Sequence, residues 1–193
     1  HTTVNISIQS LNRLKNLIEI DLGWCSQIEL FENLNSSLFS NSTGLKIIKL
    51  ANLGIYSIYL EKYLFFSLFS SLEYVDLSYN HLEYIPFSHF SQNFYLNYLN
   101  LSNNFLKVFS IESLRTGNHF FNLDLSYNNI SYLTNKEFFL FNQIQNLNFK
   151  GNKFDLLNFD QVKGFVNLYL FDLSDNNISK ITSSSYIVYN NIR

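Results

Sequence analysis

Apolar residues along this chain fall on one short pattern that returns from end to end. Its clearest copy is Leu72-Glu73-Tyr74-Val75-Asp76-Leu77-Ser78-Tyr79-Asn80-His81-Leu82-Glu83-Tyr84-Ile85. With Leu72 as position 1, apolar residues stand at positions 1, 4, 6, 11 and 14, and asparagine stands at position 9. Position 1 recurs at Leu17, Leu45, Leu72, Leu96, Phe120, Ile144 and Leu168, in steps of 28, 27, 24, 24, 24 and 24 residues. A fixed period of this length marks an array in which each unit buries its apolar face only against its neighbours. Residues 1–16 read as the tail of an earlier unit, because Ile6, Ile8 and Leu11 fall in phase with Phe109, Ile111 and Leu114. Residues 192–193 read as the start of a later one, so the whole of 1–193 is expected to be a single array.

Around positions 3 to 7 the pattern alternates, as a strand with one buried face does. The inward pairs are Ile20/Leu22, Ile48/Leu50, Val75/Leu77, Leu99/Leu101, Leu123/Leu125, Leu147/Phe149 and Phe171/Leu173. One short strand per unit, with a return path behind it, stacks into a parallel sheet with strands about 4.8 Å apart. The expected fold class is therefore α/β in the sense of a curved solenoid slice, with a concave parallel sheet and mostly irregular or short-helical convex returns. Helix-like spacing appears only in the two longer units, over 28–34 and 58–64. Phe90, Leu114, Phe138, Val162 and Tyr186, all at position 19, are expected to fill the back of the core.

The asparagines at position 9 are Asn80, Asn104, Asn128, Asn152 and Asn176. Where the backbone turns inward after a strand it loses its ladder partners, and a buried amide can both donate and accept. These residues are expected to form a structural ladder rather than a contact surface. The first two units depart from the pattern with Cys25 and Leu53. A small thiol at that position is expected to sit buried, as a hydrophobe with a weak donor.

Composition narrows the function. The formal net charge is -2 and charged residues make up 15% of the chain, which gives no electrostatic case for a nucleic acid or an anionic membrane. No run of 18 uncharged apolar residues occurs. A single cysteine, Cys25, forbids an internal disulfide framework. There is no methionine, position 1 included, so the chain reads as a piece of a longer protein. A slice of this kind leaves both ends of its sheet open and is expected to aggregate when expressed alone. His1, His81, His89 and His119 lack metal-site spacing, and no nucleophile elbow or phosphate loop is present. No enzyme activity, cofactor or metal is expected.

The concave face is the candidate binding surface. Tyr74, Tyr79, Tyr98 and Tyr127 point outward at positions 3 and 8, with Asp76, Asn100, Asn103, Asn122 and Asp124 among them. Tyrosine offers a large contact area with a polar tip and is enriched at interfaces. Asp21, Asp76, Asp124 and Asp172 share position 5, either as an acidic stripe or as ordinary repeat wording, since Lys49, Asn100 and Asn148 interrupt the column. Six N-x-S/T sequons stand at Asn5, Asn35, Asn41, Asn100, Asn129 and Asn177. Chance alone gives about four in so asparagine- and serine-rich a chain. Asn35 and Asn41 are the best acceptors, whereas a glycan on Asn100 would block the concave face.

The stretches Leu72–Ile85, Asn122–Leu133 and Phe171–Ile181 resemble the 24-residue "typical" leucine-rich repeats of extracellular proteins, above all Toll and Toll-like receptor ectodomains. The resemblance covers nearly the whole chain. It implies a leucine-rich-repeat solenoid that recognises a protein or microbial ligand on its concave or lateral face, with receptor dimerisation, on the extracellular side of the plasma membrane or as a secreted protein. Cys25 with Ile28 also resembles the cysteine-containing repeats of intracellular proteins, which keeps a cytoplasmic interaction scaffold as the alternative.

Overall fold

The computed structural model describes residues 13–25, 41–58, 60, 65–86, 90, 92–109, 122–133, 144–158, 160 and 165–182. Nine strands of three residues each lie in them: β1 (Glu19–Asp21), β2 (Ile47–Lys49), β3 (Tyr74–Asp76), β4 (Tyr98–Asn100), β5 (Asn122–Asp124), β6 (Asn146–Asn148), β7 (Leu156–Asn158), β8 (Leu170–Asp172) and β9 (Lys180–Thr182). A seven-stranded sheet runs β1-β2-β3-β4-β5-β6-β8, and every pairing is parallel. The register is in phase throughout, Tyr74 facing Tyr98 and Asp76 facing Asn100. Equal positions of successive units therefore line up in rows across the sheet. The architecture is a parallel-sheet solenoid with very little helix among the described residues.

Each strand of the seven-stranded sheet turns its middle residue into the core and its two outer residues to the other face, where they are half-buried in β2 to β6. The core is one continuous cluster, from Ile20 and Leu22 through Val75, Leu99 and Leu123 to Phe171 and Leu173. At its back Phe66 and Phe90, both fully buried, stack with ring centroids 5.0 Å apart. Asn93 ties these returns together, giving its amide hydrogens to Phe66 O and Phe69 O at 2.8 and 2.7 Å.

The position-9 asparagines join each unit to the one before. Asn104 accepts the Leu82 N–H on Oδ1 and donates from Nδ2 to Leu77 O, both at 3.0 Å, and also to Leu101 O and Ser102 O of its own turn. Asn128, Asn152 and Asn176 serve Leu106, Ile130 and Phe154 in the same way. Asn80 accepts from both Leu53 and Ile55, each at 3.0 Å. Since each asparagine serves the preceding unit, the backbone of the unit carrying Leu53 is still satisfied by Asn80.

Cys25 departs from expectation, because its thiol is exposed. The asparagines are drawn inward by a donor and an acceptor used together, and a thiol has neither in sufficient strength. Returns also form more strand than expected. β7 pairs with β9 in a second, two-stranded parallel sheet, and Phe109 bridges Leu133. Among the described residues the short pieces of helix are a turn at 57–58 and 60 and a 3-10 turn over Phe65–Leu68. The expected helix over 28–34, position 19 of the later units (Leu114, Phe138, Val162, Tyr186) and Asn5 and Asn35 lie outside the described residues. Among the described residues no helix is long and apolar enough to cross a membrane.

Asn128→Ala removes a buried acceptor from the Leu106 N–H and a donor from Leu101 O. The expected loss is about 1–3 kcal/mol for each group left unpaired. Urea unfolding measures it, and an unaltered midpoint would contradict the role of the ladder.

Candidate functional site on the concave sheet face

Three rows cross the concave face. The first is position 3: Glu19, Ile47, Tyr74, Tyr98, Asn122, Asn146 and Leu170. In-register pairing brings Tyr74 and Tyr98 into a parallel stack, with centroids 4.5 Å apart and planes within 2°. One strand further on, Asn146 Nδ2 donates to Asn122 Oδ1. Burial, above all, and then the charges around Tyr74, Asp124 and Asp76, push the Tyr98 phenol up to about 12. Tyr74 is raised as well, first by burial and then by Asp76.

The second row is position 5, where the question left by the sequence has a structural answer. The side chains of Asp21, Asp76, Asn100, Asp124, Asn148 and Asp172 each accept, on Oδ1, the backbone N–H two residues on, at 2.9–3.0 Å. That bond turns the chain away from the strand, and aspartate and asparagine are the residues that make it. One oxygen of each aspartate is thus scaffold. Lys49 stands in the same row without such a bond, and its Nζ lies 2.6 Å from Glu19 and 3.8 Å from Asp21. The hydrogen bond to Glu19 raises the Lys49 pKa, with desolvation partly opposing it.

Position 8 forms the third row, and there the backbone is left-handed in every unit. Trp24, Asn52, Tyr79, Asn103, Tyr127, Gly151 and Asp175 have φ between 53 and 66°. From Trp24 to Gly151 the twist aims each position-8 N–H at the position-7 carbonyl of the next unit, as in Tyr79 to Ser102 and Tyr127 to Lys150. Glycine and asparagine suit that conformation, whereas other L-residues pay roughly 1–2 kcal/mol for it. Trp24, Tyr79 and Tyr127 nevertheless hold it with their rings exposed, Tyr79 at 48% and Tyr127 at 49%.

The rings of this row lean along the solenoid. Trp24 meets Tyr79 with centroids 5.2 Å apart, across the shorter Asn52. Tyr127 covers Gly151, where an added Cβ would lie 2.5 Å from the ring. Beside it Lys150 pairs with Asp175 at 3.4 Å, and a hydrogen bond with that carboxylate, then its charge, then Tyr127, raise the lysine pKa.

The nine residues expected to form the site therefore lie on one face but in three distinct rows. Trp24, Lys150 and Gly151 join them and were missed by the sequence reading. The signal was available for Trp24, which stands at the same repeat position as Tyr79. Outside the three rows, the exposed His81 is stacked between Tyr56 at 4.9 Å and Phe105 at 5.7 Å. No cluster of three or more His, Cys, Asp or Glu able to hold a metal occurs among the described residues.

Comparison with known proteins supports the same architecture. A family model for the Leucine Rich Repeat matches residues 71–93. TLR13, from its complex with ssRNA13, superposes with a TM-score of 0.75 over 96% of the chain at 23% identity. The chain is a leucine-rich-repeat solenoid. Similar repeats occur in a leucine-rich-repeat protein of Leptospira interrogans (TM-score 0.66, 23% identity, 92% of this chain and 44% of that one). The ectodomain of the plant membrane receptor kinase GASSHO1/SCHENGEN3 of Arabidopsis thaliana, in complex with Casparian strip integrity factor 2, also matches (TM-score 0.66, 21% identity, 90% of this chain and 20% of that one). The solenoid spans 25% of the TLR13 chain. No curated protein matches it significantly in sequence.

The Tyr74–Tyr98 stack supplies a titration test. Folding holds the Tyr98 proton up to about 12, while an unfolded tyrosine releases it near about 10. Between those values the folded state binds more protons, so stability falls as pH rises through the window. Ultraviolet titration is expected to show one late phenol that Tyr98→Phe abolishes. A late step that persists in the variant would contradict the assignment.

Proposed function

We propose that this solenoid is a non-catalytic recognition module that binds a protein or microbial ligand on its concave face. We further propose that it belongs to the ectodomain of a Toll-like cell-surface receptor in innate immune or developmental signalling, with receptor dimerisation open to it. The observation that carries the reading is the position-8 row. Trp24, Tyr79 and Tyr127 keep large aromatic rings in a backbone conformation that favours glycine or asparagine, and they keep them exposed. Strain retained at a surface is the usual mark of a functional position. The stacked Tyr74 and Tyr98 continue the aromatic area inward, and Asn100, Asn103, Asn122, Asp76 and Asp124 supply polar groups between the rings. The likeness to TLR13 and to a plant receptor ectodomain supports the receptor reading at the level of fold.

Tyr79→Ala combined with Tyr127→Ala is expected to weaken binding about ten-fold or more, as loss of aromatic anchors does. The loss of stability should be small, about 1 kcal/mol, because both rings are half-exposed. Peptides selected from an unbiased library on the protein carrying this array provide the assay. Binders indifferent to the double substitution would refute the concave site.

Glycosylation tests the extracellular placement. Asn41 and Asn177 are exposed, whereas Asn100 is half-buried in β4 with its Oδ1 engaged by Ser102 N–H. Mass spectrometry of the protein made through a eukaryotic secretory pathway is expected to find glycan at Asn41 and Asn177 and none at Asn100. A parent chain that never enters that pathway would favour the intracellular scaffold instead.

A further inference from the structure

The concave face carries a second period, twice that of the repeat. β1, β3 and β5 each present an aspartate at position 5 and an aromatic residue three positions later: Asp21 with Trp24, Asp76 with Tyr79, and Asp124 with Tyr127. The strands between them, β2, β4 and β6, present Lys49 with Asn52, Asn100 with Asn103, and Asn148 with Gly151. β8 restores the carboxylate with Asp172. With neighbouring strands about 4.8 Å apart, the backbone positions of these pairs recur at about 9.6 Å along the solenoid, the Trp24 ring alone leaning to 5.2 Å from Tyr79. A polyproline-II chain rises about 3.1 Å per residue with three residues per turn, so one edge of it recurs at about 9.3 Å.

Charge decides what such a chain carries. The two lysines of this face are engaged, Lys49 by Glu19 and Lys150 by Asp175. Asp76 and Asp124 each use one oxygen on the backbone and have no ion-pair partner among the described residues. The face therefore presents outward carboxylate oxygens beside exposed tyrosine rings, with free cations withdrawn. Guanidinium is the group that satisfies both, because it stacks on an aromatic face and donates in-plane to a carboxylate. A polyanion would meet uncompensated like charge.

We propose that the concave face binds an extended, polyproline-II-like segment of a partner protein with a basic residue, arginine above all, at every third position. The inference rests on the recognition reading above and names its ligand. Successive arginines lie over Tyr79 and Tyr127 and reach Asp76 and Asp124. The intervening residues pass over Asn100 and Asn103, whose amides can donate or accept.

The test uses synthetic peptides of about twelve residues and one composition, with arginine at every third position, at every second position, or in one block. Fluorescence anisotropy on the protein carrying the array is expected to show the every-third peptide binding about ten-fold tighter than either isomer, and more weakly as salt rises. Asp76→Asn with Asp124→Asn is expected to remove that preference while the unfolding midpoint holds. Asparagine makes the same backbone bond at Asn100 and Asn148, at 3.0 Å, so the turn survives the change. Equal affinity for the three spacings overturns the inference, as does tighter binding of a glutamate counterpart or of single-stranded RNA. If library-selected peptides need Tyr79 and Tyr127 but lack the basic spacing, this inference fails and the recognition module stands. If none needs those tyrosines, both fail.

Discussion

The structure depends on one constraint: no unit can satisfy its own backbone. After each strand the chain turns inward, and the N–H and C=O groups freed there are met by the asparagine of the following unit, as Asn104 meets Leu82 and Leu77. The sheet ladder, the Asn93 bonds to Phe66 and Phe69 and the Phe66–Phe90 stack repeat that dependence on the strand side and at the back. Stability is then a sum of neighbour interfaces. The unit carrying Leu53 shows the direction of this dependence, because Asn80 serves its backbone from the next turn.

The same dependence shapes the display face. To hand its position-8 N–H to the next unit, the backbone must enter the left-handed region, and it does so from Trp24 to Gly151. Where the chain leaves the strand, position 5 caps its own turn in every unit but that of Lys49, which aspartate and asparagine do alike. The scaffold thus favours an Asx side chain at one position, Lys49 being the exception, and glycine or asparagine at the other, but it does not choose between them. The choices that remain, carboxylate or amide and aromatic or small, are free to be set by a ligand. Their alternation on successive strands is the part of the surface that folding leaves undetermined.

A recognition role follows more naturally from this than from any single residue. Isolated surface ion pairs such as Lys46 with Glu73 contribute little to stability, and the exposed rings of Tyr79 and Tyr127 contribute little more. What these groups have in common is regular placement on a rigid sheet. A row of side chains held at fixed spacing offers a pre-organised surface, which lowers the entropy lost when a partner binds.

Most of the fold was legible in the sequence, because burial imposes its period directly on residue type. Val75, Leu77, Leu82 and Ile85 have to be apolar and Asn80 has to be an amide, so counting along the chain locates strand, turn and core. The outward rows were legible only as membership of a face. Sequence spacing says that Tyr74 and Tyr98 share a position, but the 4.5 Å stack arises because parallel pairing puts equal positions side by side. It could not show that Asp76 spends one oxygen on Ser78, that Trp24 reaches past Asn52 to Tyr79, or that Cys25 stays exposed. Those outcomes depend on distances in space, from Asp76 to Ser78 within one turn and from Trp24 to Tyr79 two units on, which the one-dimensional pattern does not contain. The sequence by itself determined which residues build the solenoid. The tertiary structure decided how the rest stand to one another, because only stacking of the units brings them into contact.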